Sequence, residues 1–306
     1  ENLISISNNI NNKHEVLYES TITRSTIYLL GRYNKYSRDI PQSPWIIDDE
    51  RKGRYSVEEI INDAIHNIIQ SKVCRLHGCG REDIDVRCLG NGRPFVLELI
   101  DCIHEASPEN LLKITQYIKD KQGLNMLGDI DISNLIKVNK TTWENMQNVA
   151  EEKKKAYSCL VWSDGIITLD KLKQLEQMSS SLTGISIDEE GRRCLEIIQK
   201  TPLRVLHRRS LISRKRYIYD INTILINPHF FIMKLITSAG AYVKEFVHGD
   251  IGRTEPSISA ILDSQTDILQ LDVIGLFDQF DGGYDHDEFI NNYNNNTSND
   301  TNALSW

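Results

Sequence analysis

The sequence lacks two features that would narrow its function at once: a long apolar run and closely spaced metal-binding cysteines. A membrane helix needs about 18 consecutive apolar residues, and the 306 residues contain no such run. The six cysteines include no C-x-x-C pair and no histidines at matching spacing, which argues against a zinc site. We therefore expect reduced thiols, no membrane partner and no metal.

The ends of the chain lack other features. Glu1–Asn12 shows no succession of basic, apolar and small residues, so no signal peptide is predicted and the expected location is intracellular, nuclear or cytoplasmic. The first residue is not methionine, from which we expect a further upstream domain. Low apolar content predicts a disordered lead at 1–14 and a mostly disordered, Asn-rich and acidic tail at 277–306. A single domain is predicted over residues 15–276.

The net charge of −8 argues at first against a nucleic-acid partner, but the charges are unevenly placed. Residues 277–306 contain six acidic residues and no lysine or arginine. Residues 201–217 contain no acidic residue and are strongly basic. An acidic protein can therefore still present a basic groove to RNA.

Local signals predict three helices. Ser56 and Glu59 form a capping box before apolar residues at helical spacing. Ser107-Pro108 and Thr168 have the residue types that begin two further helices.

Strand patterns lie between and after these helices, and the segment Gly90–Gly92 suggests a turn between two of them. The predicted strands are Ile84–Cys88, Pro94–Ile100, Tyr157–Trp162, Arg216–Ile226, Phe230–Thr237 and Ile268–Ile274. The predicted class is α+β, with a central mixed or antiparallel sheet and flanking helices.

Asp83 is the first candidate for chemistry, because it follows the glycines Gly78 and Gly80 at a predicted junction between loop and strand. A carboxylate can act as a nucleophile when a nearby cation keeps it ionised. Arg81, Arg87 or a lysine distant in sequence could supply that cation. The alternative is that the acidic residues here form a solvated turn paired with arginines.

Three other residues are candidates for the same site. Lys244 follows the small residues Ala239–Ala241 and could be the cationic partner of Asp83, although a surface lysine on a helix is the commoner outcome. Tyr242 lies two residues earlier. Tyr157 begins an apolar run after three lysines and could stack on a nucleobase, although most such tyrosines belong to a core.

Four segments together resemble the tRNA pseudouridine synthase 10 family of archaea and eukaryotes. They are GRYNKYSR (31–38), GREDIDVRCLGNGRPF (80–95), TPLRVLHRR (201–209) and AYVKEFVHGDIGRT (241–254). The resemblance covers residues 15–276 and implies the pseudouridine synthase fold with a catalytic cleft. It also implies isomerisation of uridine in the TΨC loop of tRNA, with uridine 54, uridine 55 or both as the site.

The resemblance assigns roles to single residues. Asp83 would be the catalytic nucleophile and Lys244 its ion-pair partner. Tyr157 would stack on the target base and could help to remove its C5 proton, and Tyr242 would be a second substrate contact. The hydrophobic residue under the base would be Leu262 or Leu271. No cofactor is implied.

Basic residues on several segments would follow the RNA backbone, and the expected partner is the TΨC arm of tRNA bound by a monomer. The residues predicted to contact RNA are Arg81, Arg204, Arg208, Arg209, Arg253, Lys35 and Arg38.

Three alternatives remain open from the sequence. The first is a catalytically inactive tRNA-binding module of the same fold. The second is a metal-dependent hydrolase that uses Glu82, Asp83 and Asp85, since the last two would share one face of an extended strand. The third is a scaffold role, for which only the polar tail gives any indication.

Overall fold

The computed structural model describes residues 4–10, 16–125, 128–144 and 153–277. The chain divides into two compact units. Unit 1 comprises residues 1–33, 39–81 and 94–147, and unit 2 comprises residues 34–38, 82–93 and 148–306.

Unit 1 combines strands with two helices. Its elements are β1 (Ile4–Ile10), β2 (Val16–Ile22), most of β3 (Ile27–Lys35), β4 (Ile46–Ile47), β5 (Glu50–Arg51), α1 (Val57–Ile68), β6 (Ser71–Gly78), the second half of β7 (Arg87–Cys102), α2 (Pro108–Asn125) and β8 (Ile130–Val138). Strand β3 lies between β7 and β8, and β6 pairs antiparallel with the second half of β7. Strands β1 and β2 form a separate antiparallel pair.

Helix α1 begins where the capping box predicts. The Ser56 hydroxyl accepts a hydrogen bond from the backbone N–H of Glu59, and the Glu59 carboxylate accepts one from the backbone N–H of Ser56. Ile61 and Ile65 lie one turn apart on the buried face, which explains the apolar spacing in the sequence. Helix α2 likewise starts at Pro108, as predicted.

Unit 2 is built on a larger sheet. Its elements are the first half of β7, β9 (Lys155–Ser163), α3 (Leu169–Ser179), β10 (Ser186–Ile187), β11 (Arg193–Lys200), a 3-10 helix (Leu203–Arg208), β12 (Ser213–Asn227), β13 (Phe230–Thr237), α4 (Val243–His248), β14 (Thr254–Glu255), α5 (Ile258–Leu262) and β15 (Thr266–Leu276). The strand order is β10-β11-β12-β13-β9-β15-β7, with β14 paired to β11. Strand β15 is antiparallel to β9 and parallel to β7, so the sheet is mixed and the α+β prediction is confirmed.

The first part of one predicted strand, residues 84–86, forms a turn. Residues 84–86 precede β7, and the N–H of Val86 donates to the carbonyl oxygen of Asp83 at 3.1 Å. The alternation of Ile84, Val86 and Cys88 suggested a strand from 84 to 88, but regular strand structure begins only at Arg87. A local hydrogen bond therefore overrides the alternating pattern.

A predicted turn is a strand. Gly90–Gly92 lies within the continuous 16-residue strand β7. The Asn91 side chain accepts from the backbone N–H of Leu276 and donates to its carbonyl oxygen. Gly90 has a φ of +60°, and a Cβ there would collide with the carbonyl oxygen of Ile274. The glycines permit a close approach of β15 rather than a chain reversal.

Other predictions concern the ends of the chain. Ile4–Ile10, inside the predicted disordered lead, forms β1, so the backbone pairing with β2 corrects that part of the prediction. Apart from residue 277, the predicted tail lies outside the described residues. The domain boundaries, the monomeric state and the location stay predictions. Within the described residues, no helix has the length and apolar character needed to cross a membrane.

Candidate active site

Asp83 lies beside two cations in unit 2. Its carboxylate oxygens are 3.2 and 3.0 Å from Nη1 of Arg204, and one of them is 3.4 Å from Nζ of Lys244. About a third of the Asp83 side chain remains exposed (36%), so a substrate atom can reach it. The structure therefore brings the predicted nucleophile and its predicted partner Lys244 together, and it adds Arg204.

Lys244 binds Asp85 more closely than Asp83. Its Nζ donates to both carboxylate oxygens of Asp85, at 3.0 and 2.8 Å. Burial of Asp85 opposes ionisation, but the hydrogen bonds and charge of Lys244 outweigh it, so the pKa of Asp85 is lowered. One ammonium thus serves two carboxylates. The turn after Asp83, rather than a shared strand face, places both Asp83 and Asp85 beside Lys244.

Arg204 is held in place by a second carboxylate. Its Nε donates to Glu245 at 2.7 Å, and the Glu245 side chain is only 2% exposed. The burial of Arg204 opposes its charge, whereas the bond to Glu245 and the charges of Glu245 and Asp83 favour it, and its pKa is raised. Arg204 was predicted as a phosphate contact. Its guanidinium instead bridges Glu245 and the candidate nucleophile.

The 3-10 helix that carries Arg204 is anchored by the segment after α4. The backbone N–H of Leu203 donates to the Asp250 carboxylate at 3.1 Å. Arg253 donates from Nη2 and Nε to the carbonyl oxygen of Thr201, at 2.6 and 3.2 Å. Arg253, predicted to contact phosphate, therefore uses its guanidinium to position the helix, and its side chain is only 20% exposed.

Lys35 also differs from its predicted role. It is fully buried, and its Nζ donates to the carbonyl oxygens of Ile84 and Asp83, at 2.8 and 3.3 Å. Burial lowers the pKa of Lys35, against the opposing charge of Glu82. A fully buried ammonium cannot follow an RNA backbone. It holds the turn that carries Asp83.

Arg38 fixes the other end of this turn. Its Nη1 donates to the carbonyl oxygens of Asp85 and Leu271, both at 2.9 Å, and its Nη2 lies 2.7 Å from the Asp272 carboxylate. Arg87, considered as a partner for Asp83, binds Asp272 instead at 2.9 and 2.6 Å. The predicted phosphate contact Arg38 is therefore occupied by protein groups that join the turn to β15.

Tyr157 lies on β9, between Leu235 of β13 and Val273 of β15. Burial raises the pKa of its phenol to about 12, although the charge of Arg93 acts in the opposite direction. Arg93 forms a buried ion pair with Glu82 at 2.7 Å, and Glu82 precedes Asp83 in the chain. The Tyr157 hydroxyl is protonated at physiological pH, and Arg93, whose charge acts on its pKa, is bonded to the residue before Asp83.

The remaining predicted residues are placed as follows. Tyr242 is the N-cap of α4, and its backbone N–H and carbonyl bond to the side chain of Gln199, both at 2.9 Å. Arg209 is exposed and lines a cavity together with Tyr242. Arg81 is an exposed residue of unit 1. The side chain of Arg208 lies outside the described part of the structure.

Both candidate leucines are buried. Leu262 is 1% exposed and Leu271 is 6% exposed. The carbonyl oxygen of Leu262 accepts from Lys171, whereas that of Leu271 shares Arg38 with Asp85. Leu271 is thus the one joined to the Asp83 turn.

The metal-dependent alternative uses Glu82, Asp83 and Asp85, with the last two as a possible metal-binding pair. Glu82 is 6% exposed and bonds to Arg93, and Asp83 and Asp85 bond to Arg204 and Lys244. In the described ranges, no group of three or more His, Cys, Asp or Glu residues is placed to hold a metal.

Sequence reasoning missed Glu245 and the bridging role of Arg204. Glu245 is adjacent to Lys244, and Arg204 belongs to the basic stretch already noted, but 121 residues separate Arg204 from Asp83. One weak signal in the sequence could have pointed to Glu245. It lies three residues after the N-cap Tyr242, in the first turn of α4, next to the candidate Lys244.

Comparisons with known proteins agree on one family. The family model described as Pus10, C-terminal, matches residues 28–276. The chain is 42% identical to tRNA pseudouridine synthase Pus10 of Xenopus laevis, over 81% of this chain and 45% of that protein. It is 40% identical to the Homo sapiens protein of that name, over 83% and 45%, and 34% identical to the one from Methanocaldococcus jannaschii, over 82% and 53%.

The chain spans about half the length of the curated relatives it matches. Among solved structures, a crystal structure of a Cbf5-Nop10-Gar1 complex is similar with a TM-score of 0.43 and 15% identity, over 88% of this chain and 56% of that one.

Proposed function

Because the chain belongs to the family described as Pus10, C-terminal, we propose that it is the catalytic portion of a tRNA pseudouridine synthase. The observation that carries this proposal is the partly exposed carboxylate of Asp83, held by Arg204 at 3.0 Å and Lys244 at 3.4 Å. The two adjacent cations hold this carboxylate in place, and a carboxylate is one of the side-chain groups that can act as a nucleophile. The relatives' name supports uridine in tRNA as the substrate.

In the proposed reaction, a carboxylate oxygen of Asp83 forms a bond either to the ribose or to the uracil ring. The bond between N1 of uracil and ribose breaks, the base turns, and C5 bonds to the same sugar carbon. The bond between Asp83 and the substrate then breaks, which restores the carboxylate. N1 ends with a proton and C5 loses one, so the product is an isomer of the substrate. Arg204 and Lys244 hold the carboxylate in one orientation throughout, which lowers the entropic cost of attack.

Tyr157 has a narrower role in this proposal than a general base. Since its pKa is raised to about 12 by burial, the phenol is protonated at neutral pH. A protonated tyrosine can stack on the base and donate a hydrogen bond, and it can accept the C5 proton only if another group takes the phenolic proton. We propose stacking as its main contribution.

The substrate must present its uridine outside a base stack. A uridine in a folded tRNA is extruded at a cost of roughly a few kcal/mol, and stacking on an aromatic ring offsets about 1–3 kcal/mol of that cost. We propose the TΨC loop as the target, at uridine 54, uridine 55 or both.

The test is to map pseudouridine in unmodified tRNA after incubation with the chain or its Asp83→Asn form. The expected result is product in the TΨC loop with the parent and a rate reduced at least about 1,000-fold in the variant. Asp267→Asn is the matched control, because Asp267 is exposed on β15, and it should act like the parent.

The outcomes separate the candidates. Product from the Asp83→Asn variant at the parent rate would contradict the nucleophile. Binding of tRNA without any product from the parent would favour the inactive tRNA-binding module. Loss of product on adding a chelator would favour the metal-dependent alternative.

A further inference from the structure

A cavity of about 310 Å³ lies in unit 2, next to the start of α4. Three arginines contribute to its lining: Arg209, Arg214 and Arg216. Among the described residues that line it, none is aspartate or glutamate. A cavity of this size is at the lower end of those that take small ligands.

The charges of these arginines are not neutralised by the described part of the protein. Nowhere in that part does a carboxylate lie within ion-pair distance of Arg209, Arg214 or Arg216. Arg216 is partly buried, and burial together with the charge of Arg214 lowers its pKa. Repulsion between like charges in a partly desolvated site is unfavourable. A bound anion would offset this repulsion.

Strand geometry explains this gathering. Arg214 and Arg216 lie two residues apart on β12 and therefore share one face. Lys215, between them, pairs with Glu196 at 3.1 Å and is not among the residues that line the cavity. Of these three consecutive cations, Lys215 is therefore paired with a carboxylate, whereas Arg214 and Arg216 face the cavity without one in the described structure.

Polar groups complete the wall. The cavity is also lined by Gln199, Thr201, Ser210 and Tyr242, which add amide and hydroxyl groups that can hydrogen-bond to an anion. Guanidinium groups bind phosphate oxygens through paired N–H donors. The chemistry of the cavity fits a phosphate group attached to a larger molecule.

The start of α4 connects the cavity to Asp83. Tyr242 lines it, and Lys244, which contacts Asp83, follows two residues later. Two residues span at most about 7 Å of backbone. Gln199 ties the backbone of Tyr242 to β11 through two hydrogen bonds, which hold the start of α4 against that strand.

We propose that this cavity binds a backbone phosphate of the RNA strand close to the nucleotide that reacts at Asp83. This inference rests on the proposed function for the identity of the strand. The cavity would set the register of the strand, so that only one uridine reaches the carboxylate. It would act on binding rather than on the bond-forming step.

The experiment measures binding alone, in the Asp83→Asn background, so that turnover does not interfere. The dissociation constant of a TΨC stem-loop RNA is determined at several salt concentrations. Arg214→Gln should weaken binding roughly tenfold and reduce the slope of log K against log salt by about 0.7–0.9, the value for one lost phosphate contact. Lys215→Gln is the matched control in the same strand and should leave the slope unchanged.

A second variant tests the charge without removing an arginine. Ser210 is exposed, so Ser210→Glu can place a carboxylate at the cavity without disturbing a core. We expect weaker RNA binding together with an unchanged or higher melting temperature, because the carboxylate takes the place of the anion. A residue with only a structural role would lower both quantities.

Several outcomes would overturn the inference. Equal salt slopes for Arg214→Gln and Lys215→Gln would do so, as would parent-like affinity of Ser210→Glu or no RNA binding by the background protein. Titration with inorganic phosphate tests whether the cavity binds a free anion instead of a phosphate of the RNA strand. If Arg214→Gln loses phosphate binding while its RNA slope is unchanged, the cavity binds a small free anion and not the strand.

Failure of this inference and failure of the proposed function give different results. A chain that makes no pseudouridine, but whose RNA affinity depends on Arg214, contradicts the synthase proposal and leaves the phosphate site standing. A chain that makes pseudouridine with an RNA affinity indifferent to Arg214 contradicts the phosphate site alone.

Discussion

Arg204 and Glu245 form a bond of 2.7 Å between a guanidinium nitrogen and a carboxylate that is 2% exposed. The same guanidinium reaches Asp83 with another nitrogen. Glu245 therefore sets the position from which Arg204 contacts the candidate nucleophile. Its second oxygen, Oε2, is buried with no hydrogen-bond partner in the described structure, so Glu245 holds Arg204 through Oε1.

Replacing Glu245 should reduce both turnover and stability. Glu245→Ala removes the acceptor for Arg204, and we expect at least about a tenfold loss of turnover and a loss of about 1–3 kcal/mol in the free energy of unfolding. Glu245→Gln keeps an acceptor oxygen and should fall between parent and Ala. Pseudouridine formation and thermal melting measure the two effects. Parent-like turnover in Glu245→Ala would contradict the positioning role of Glu245.

Replacing Lys35 should loosen the turn that carries Asp83. Lys35→Met leaves the carbonyl oxygens of Asp83 and Ile84 without this donor, which costs about 1–3 kcal/mol for buried polar groups. We expect slower turnover and a lower melting temperature. Lys113→Met is the control, because Lys113 is exposed on α2 and pairs with Glu109 at the surface. Equal effects of the two substitutions would contradict the proposal.

Asp85 should contribute to stability only above acidic pH. Its pKa in the folded chain is lowered, because the bonds to Lys244 outweigh burial, whereas the unfolded value is about 3.9. The contribution is therefore present above about pH 4 and is lost as pH falls through the lowered pKa. Asp85→Asn should melt below the parent at about pH 6 and together with it at about pH 2. A difference that persists or grows at low pH would contradict this assignment.

Two substitutions at Tyr157 distinguish a stacking role from a role in proton transfer. Tyr157→Phe keeps the ring, so RNA affinity should stay within about threefold of the parent. Tyr157→Ala removes the ring and should weaken binding by an amount equivalent to about 1–3 kcal/mol. Because stacking is the proposed main contribution of Tyr157, we expect Tyr157→Phe to keep the turnover of the parent. A loss of turnover of about 100-fold or more in this variant would contradict that proposal and show that the hydroxyl takes part in moving the C5 proton.

Local signals in the sequence predicted the helix starts well. Ser56, Pro108 and Thr168 mark the starts of α1, α2 and α3 because capping and proline geometry depend on residues within one turn. The strand prediction for 84–88 was wrong at 84–86, since it rested on alternation alone, and Arg87 and Cys88 do belong to β7. The turn there depends on Lys35, about 50 positions earlier, whose ammonium binds two of its carbonyl oxygens.

The site was partly predictable. Motif resemblance selected Asp83 and Lys244, and the structure places them 3.4 Å apart. The roles of Lys35, Arg38 and Arg253 could not be predicted, because a basic residue has the same identity in sequence whether its side chain is solvated or bonded to backbone carbonyls. Only the fold decides between those environments.

The alternation of Arg214, Lys215 and Arg216 on β12 has a consequence for insertions and deletions in this part of the chain. The pairing of Arg214 with Gln199 and of Arg216 with Ile197 sets which side chains face the cavity. A slip by a single residue would turn both arginines to the opposite side of the sheet and bring Lys215 and Tyr217 in their place. The length of the connection between β11 and β12 therefore sets the charge of the cavity as well as the register of the two strands.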